Sequence, residues 1–147
     1  MDRSEIMAVL PHRPPMLLVD EAHIEGDDAV GRYTVRGDEF FLQGHYPGHP
    51  IVPGVMLCEM MGQSAAVLFV AELTGQVPGL GRRVPYFAGL DKVKFRHPVV
   101  PGDTVVFRLR VVRSHGTFYF LTGSGWVGDD LCVTAELTFA LVEAPDA

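Results

Sequence analysis

Gln43-Gly44-His45-Tyr46-Pro47-Gly48-His49-Pro50-Ile51-Val52-Pro53-Gly54-Val55-Met56-Leu57-Cys58-Glu59-Met60-Met61-Gly62-Gln63 is the stretch around which this chain is organised. Pro47, Pro50 and Pro53 keep it out of a helix up to residue 53, because proline lacks the amide hydrogen and crowds the preceding turn. Pro53 suits a helix start, and Gly54 leaves the backbone open to close approach. From Gly54 to Leu73, 14 of 20 residues are apolar. They fall on all faces, which predicts one continuous helix buried on every side. No Ser, Thr, Asp or Asn stands just before Gly54, so the first amides lack a side-chain cap. Together with the positive end of the helix dipole they form a place for developing negative charge.

Two side chains here can move protons. Glu59 stands between Cys58 and Met60, with Gln63 one turn later on the same face. Desolvation in an apolar wall raises a carboxyl pKa, and a neutral acid beside His45 suits general acid–base chemistry. Each also has a plainer reading: a loop histidine bonded to backbone, and a glutamate at the solvated corner of a helix. His45 and His49 are spaced by four, but Pro47, Gly48 and Pro50 exclude the helix that would align them as metal ligands. No Cys-X-X-Cys accompanies them. No metal is expected.

At 147 residues the chain suits one domain spanning 1–147. Cys58 and Cys132 lie in apolar periodic segments and read as reduced core thiols. The start, Met1-Asp2-Arg3-Ser4-Glu5, lacks the apolar run of a signal peptide. Glu59, Gln63, Ser64 and Glu72 interrupt the helix enough to make it a soluble core helix rather than a membrane span. A cytoplasmic protein is the expectation. The net charge of −6 argues against nucleic acid. Charge is uneven, though: Arg82, Arg83, Lys92, Lys94 and Arg96 stand against Asp91 alone, a local net of +4. That cluster suits either an anionic partner or a solvated strand face.

Outward from the key stretch, residues 3–10 predict a short helix ended by Pro11. Met16 to Val19 reads as the start of a buried strand, Asp27-Asp28 as a turn, and Ala29 to Arg36 as an alternating strand. After a Gly/Pro-rich connection over Thr74–Gly81, four strands are predicted as an antiparallel meander: Pro85–His97, Thr104–Val112, Thr117–Val127 and Leu131–Val142. In the first, Lys92, Lys94 and Arg96 alternate with Val93 and Phe95. Glu143–Ala147 reads as a frayed tail. A helix apolar all round must be wrapped by this sheet, and the surface it leaves uncovered suggests a dimer.

The motifs Leu10-Pro11-His12-Arg13, Leu17-Leu18-Val19-Asp20, Phe41 to Gly48, Pro53-Gly54-Val55, Glu59, Tyr86 to Lys92 and Phe95 to Asp103 resemble the FabZ-type (3R)-hydroxyacyl-[acyl carrier protein] dehydratases. The resemblance implies an α+β hot-dog fold, a curved antiparallel sheet wrapped around one long helix. It implies homodimers, often trimers of dimers, with each active site shared across the dimer interface. On this resemblance His45 is the base and Glu59 the acid. Gly54 N–H holds the thioester oxygen, Gln63 positions Glu59, and the carbonyl near Ile51 fixes the His45 tautomer. Tyr86 or Phe87, aromatics after a Gly-rich connector, suits either a mobile lid gating the acyl tunnel or packing in the core. No cofactor is implied, and the partner is acyl carrier protein, docking on Arg82, Arg83, Lys92, Lys94 and Arg96. Relatives that also isomerise their ten-carbon product carry Asp where Glu59 stands. Tyr46 replaces an expected Phe, and His49 is unusual at its position. The rival hydratases acting on coenzyme A thioesters use an Asp-X-Asn-X-X-His pattern, and this chain has no Asn. A hot-dog thioesterase would need a water-activating group elsewhere, and no such motif is found. A catalytically silent acyl-binding protein is the non-enzymatic rival, disfavoured by the presence of both His45 and Glu59.

Overall fold

Asp2 launches the first element. Its carboxylate accepts the Glu5 N–H at 2.9 Å while Glu5 Oε2 accepts the Asp2 N–H at 2.7 Å. This reciprocal cap satisfies two otherwise orphaned amides and starts α1, Arg3–Val9. The computed structural model describes residues 1–145. The segment expected to begin a strand at Met16 is instead irregular, with Leu17, Leu18 and Val19 buried. The Gln63 side chain takes both the Leu18 N–H and the Met16 carbonyl, so this backbone is paired by a side chain rather than by a neighbouring strand. β1 (Glu21–Glu25) and β2 (Asp28–Thr34) follow, and Asp28 already pairs with Glu25, which moves the turn to Gly26-Asp27.

A 3₁₀ turn at Phe40–Leu42 leads into the proline-rich loop. The predicted single helix is broken into α2 (Gly54–Ser64), a 3₁₀ turn (Ala65–Phe69) and α3 (Val70–Thr74). The tightening begins where Ser64 Oγ bonds back to the Met60 carbonyl at 2.8 Å, a bond that bends helices. At the same point the helix approaches β2 closely: a Cβ on Gly31 would lie 2.2 Å from Ser64 Oγ.

β3 (Arg83–Phe95), β4 (Thr104–His115), β5 (Phe118–Val127) and β6 (Asp130–Glu143) complete one antiparallel sheet in the order β1-β2-β4-β5-β6-β3. The predicted four-strand meander is therefore a three-strand one. β3 crosses to the far edge and pairs with β6, because the Arg96–Asp103 connection is no hairpin turn. It carries Pro98 and Pro101, and its Val99 carbonyl is bonded by the Val52 N–H at 2.8 Å. Val105, Phe107 and Leu109 of β4 and Val133, Leu137 and Leu141 of β6 are buried, as are Met60, Met61 and Leu73 of the helical run. Gly54–Thr74 is long and apolar enough to cross a bilayer, and half of its most apolar stretch is buried within the protein. It is not covered on every side: Val55 is 72% exposed.

Two register shifts interrupt β3, between Phe87 and Gly89 and between Asp91 and Lys94. Lys92 takes the left-handed conformation at φ 49°, and the predicted simple alternation of its charges fails there. Glu143 belongs to β6 and Ala144 N–H bonds the Arg82 carbonyl at 2.9 Å, so the chain is not frayed at Glu143 and Ala144 as expected. Residues 146–147 lie outside the described residues.

Candidate active site

The loop carrying His45 is held from both ends. On the incoming side Tyr33 O–H donates to Glu39 Oε2 at 2.7 Å, and Glu39 also accepts the N–H groups of Arg36 and Gly37. Burial pushes the Glu39 carboxyl up, but these donors outweigh it and leave it below its usual value. On the outgoing side His45 Nδ1 lies 2.7 Å from the Ile51 carbonyl. A carbonyl only accepts, so Nδ1 carries the hydrogen and Nε2 keeps a free lone pair. The Tyr46 ring lies 4.6 Å from the His45 ring, centroid to centroid.

His45, Ile51 and Gly54 line one open groove of about 580 Å³, together with Phe95, Arg96 and His97. Within its lining α2 begins at Gly54, capped by Pro53 with no side-chain hydrogen bond. Met56 N–H turns back to the Pro53 carbonyl at 2.9 Å, while the Gly54 and Val55 N–H groups have no partner among the described residues. The Phe95 ring packs where a Gly54 side chain would be: an added Cβ would meet Phe95 Cζ at 2.6 Å. Glycine is thus required by close approach.

Glu59 does not share that groove within one chain. It lines a smaller pocket of about 40 Å³ with His12, Gly62, Gln63 and Phe87. Glu59 Oε1 lies 3.2 Å from His12 Nε2 and accepts Gln63 Nε2–H at 2.8 Å. The His12 hydrogen bond outweighs desolvation, and with Gln63 it holds Glu59 below the ordinary carboxylate value. This corrects the expectation of a raised, neutral carboxyl. His12 has no assigned role in the sequence reading. Its signal was available in Leu10-Pro11-His12-Arg13, but nothing in the linear pattern shows which side chain it meets.

The structure revises two further expectations. Tyr86 and Phe87 lie in strand β3 rather than in the Gly-rich connection, paired with Ala140 and Phe139. Phe87 joins the Glu59 pocket and stacks 4.6 Å from Phe139, whereas Tyr86, on the other face, lines neither cavity. The basic cluster is partly neutralised. Lys92 Nζ lies 3.5 Å from Glu136, Asp91 pairs opposite Glu136 on the same face as Lys94, and Arg83 stands opposite Glu143. Arg82 Nε–H is spent on the Leu73 carbonyl at 3.1 Å. Lys94 and Arg96 have no carboxylate partner among the described residues. A separate depression of about 410 Å³ on the outer sheet face, among Asp28, Arg108 and Arg110, holds none of these residues.

A FabA-like domain model matches residues 10–136. The chain is 42% identical over 147 residues to the 3-hydroxyacyl-[acyl-carrier-protein] dehydratase FabZ of Campylobacter concisus, covering 97% of this chain and 99% of that protein. It is 40% identical to the FabZ of the same description from Desulforamulus reducens, covering 96% and 97% of the two chains. The fold matches the dehydratase heterocomplex ApeI:P from Xenorhabdus doucetiae with a TM-score of 0.76 at 20% identity, over 96% of this chain and 91% of that one. With the antiparallel sheet, the central helix and most of the chain's length matched, this protein belongs to the FabA-like family of hot-dog proteins.

Proposed function

We propose that the protein dehydrates (3R)-hydroxyacyl-[acyl carrier protein] to the trans-2-enoyl thioester in fatty-acid synthesis, as a soluble cytoplasmic enzyme. The observation that carries the mechanism is the contact of His45 Nδ1 with the Ile51 carbonyl, which leaves Nε2 free beside the open Gly54 amide. His45 Nε2 takes the C2 proton. The thioester oxygen gathers the charge and is held by the Gly54 N–H, aided by the helix dipole. The C2 electron pair then forms the double bond as the C3–O bond breaks, and Glu59 gives its proton to the departing oxygen, which leaves as water. No metal or organic cofactor takes part in these steps.

The geometry asks for a second copy. His45 and Glu59 line separate cavities in one chain. β3 ends the sheet with an unpaired edge, along which Tyr86, Phe87, Leu90 and Phe95 are exposed. A homodimer formed along that edge buries this surface and brings the His45 of one copy to the Glu59 of the other; a trimer of dimers is a further assembly of the same unit. Covering the Glu59 pocket by the bound acyl chain removes water from the carboxyl, which raises its pKa and lets it carry the proton it must give. Phe87 is the wall the acyl chain meets. Carrier protein, an acidic partner, docks where Lys94 and Arg96 stand free, with Arg82, Arg83 and Lys92 around them.

Glu at position 59, and relatives described as FabZ, favour dehydration without isomerisation. The test is turnover of 3-hydroxyacyl thioesters of carrier protein and of coenzyme A, with products resolved by mass and double-bond position. The expected result is trans-2-enoyl product, faster from the carrier-protein thioester, and a loss of about 100-fold or more in kcat for His45→Ala. His45→Ala at the wild-type rate would falsify this assignment.

A further inference from the structure

Two side chains converge on one oxygen of Glu59 in the smaller pocket. Gln63 is used at every position: its Oε1 accepts the Leu18 N–H at 2.7 Å, and Nε2 donates to the Met16 carbonyl and to Glu59 Oε1, both at 2.8 Å. Those partners fix which end of the amide is which, so Nε2 is a true donor to Glu59. His12 Nε2 reaches the same Oε1 at 3.2 Å. His12 Nδ1, by contrast, is buried and bonded to nothing. A hydrogen there would have no acceptor, so the ring hydrogen belongs on Nε2, the nitrogen 3.2 Å from Glu59 Oε1. Glu59 Oε2 takes no bond from any described residue, and Glu59 lines the pocket.

The backbone carrying His12 is itself fixed. Leu10 N–H bonds the Ile6 carbonyl at 2.8 Å at the end of α1, and Leu10 is 1% exposed. Arg13 Nη1 then donates to the Leu10 carbonyl at 3.0 Å and to the His12 carbonyl at 2.7 Å. The other lining groups, from α2, β3 and β6, include Gly62, Pro85, Phe87 and Phe139. None of them titrates, so within one chain His12 is the titratable side chain beside Glu59, and the His45 of a second copy is the other group that the proposed dimer brings to it.

We propose that His12 is a positioning residue for Glu59: its Nε2–H, with Gln63, pins Oε1 and turns Oε2 toward the substrate. This rests on the dehydratase reading of Glu59. It divides the carboxylate into a held oxygen and a working one. Glutamine reaches about as far as the Nε2 side of histidine and offers an N–H, whereas alanine offers nothing.

The experiment compares wild type, His12→Ala and His12→Gln in two measurements. One is kcat and KM for a 3-hydroxyacyl thioester across pH. The other is the carbon-13 titration of the Glu59 side chain in glutamate-labelled protein, assigned with Glu59→Gln. The expected result for His12→Ala is a kcat lower by about 10-fold or more, KM within about twofold, and a Glu59 titration moved upward. His12→Gln should recover most of kcat and the low titration. Unchanged kcat and titration in His12→Ala would overturn the proposal, as would equal losses in both variants accompanied by equal losses of thermal stability. Should the wild type turn over no 3-hydroxyacyl thioester, the dehydratase reading fails. The Glu59 titration would then still decide whether His12 holds the carboxylate.

Discussion

The His12 hydrogen bond, set against burial and assisted by Gln63, keeps Glu59 below its ordinary value of 4.5 in the single chain. The folded state then binds fewer protons at Glu59 than the unfolded state does near that pH. The stability this carboxylate contributes is therefore fully present above about pH 4.5 and is lost as the pH falls through the folded value. Thermal unfolding of wild type and Glu59→Gln between about pH 7 and pH 3.5 should show the wild type's advantage shrinking with acidity. An advantage constant across that range would mean the carboxylate is not held as described. Legibility differs sharply between these neighbours. Gln63 was readable as a partner of Glu59, since both lie on one helix four residues apart. His12 was not, since it arrives from a segment 47 residues away, and only folding sets it beside the carboxylate.

The helical run shows the same division one level up. Its start follows from local chemistry: Pro53 stops the loop, and the absence of a capping side chain leaves the first amides open. Its interior does not, because the break at Ala65–Phe69 comes with close packing against β2. Gly31→Ala tests that packing. Its Cβ would meet Ser64 Oγ at 2.2 Å and Ser64 Cβ at 2.4 Å, so helix or strand must shift. A loss of about 1–3 kcal/mol is expected from denaturant titration. Stability within about 0.5 kcal/mol of wild type would show that the contact relaxes freely. The strands follow a similar rule. Alternation located β2, β4 and β5 to within a few residues, because period-two burial is written in the residues themselves. It misread β3, where a bulge at Lys92 turns Asp91 to the side of Lys94 and weakens the predicted basic face.

Across the molecule, His45 and Glu59 line separate cavities of one chain. If His45 of one copy works with Glu59 of the other, His45→Ala and Glu59→Gln homodimers are each inactive. Dissociating and reassembling an equal mixture gives half heterodimers, each with one intact site. Activity should return to about a quarter of wild type. No recovery, with heterodimers verified by mass, would place both residues of a working site in the same chain. The surface at issue is the β3 edge, whose exposed aromatic and aliphatic side chains lie beside the Gly54 groove through Phe95.

The sequence by itself determined the candidates for moving protons, the loop-to-helix junction that opens the Gly54 amide, and the α+β sheet-and-helix architecture. Each of these depends on proline and glycine stereochemistry, on helix-end chemistry or on periodicity, all of which act within a few residues. Only the tertiary structure decided the rest: β3 at the far edge beside β6, the separation of His45 from Glu59, and the carboxylate held by His12. Those outcomes depend on which distant segments meet, and so on whether a donor's hydrogen bond or the loss of water dominates at a buried acid.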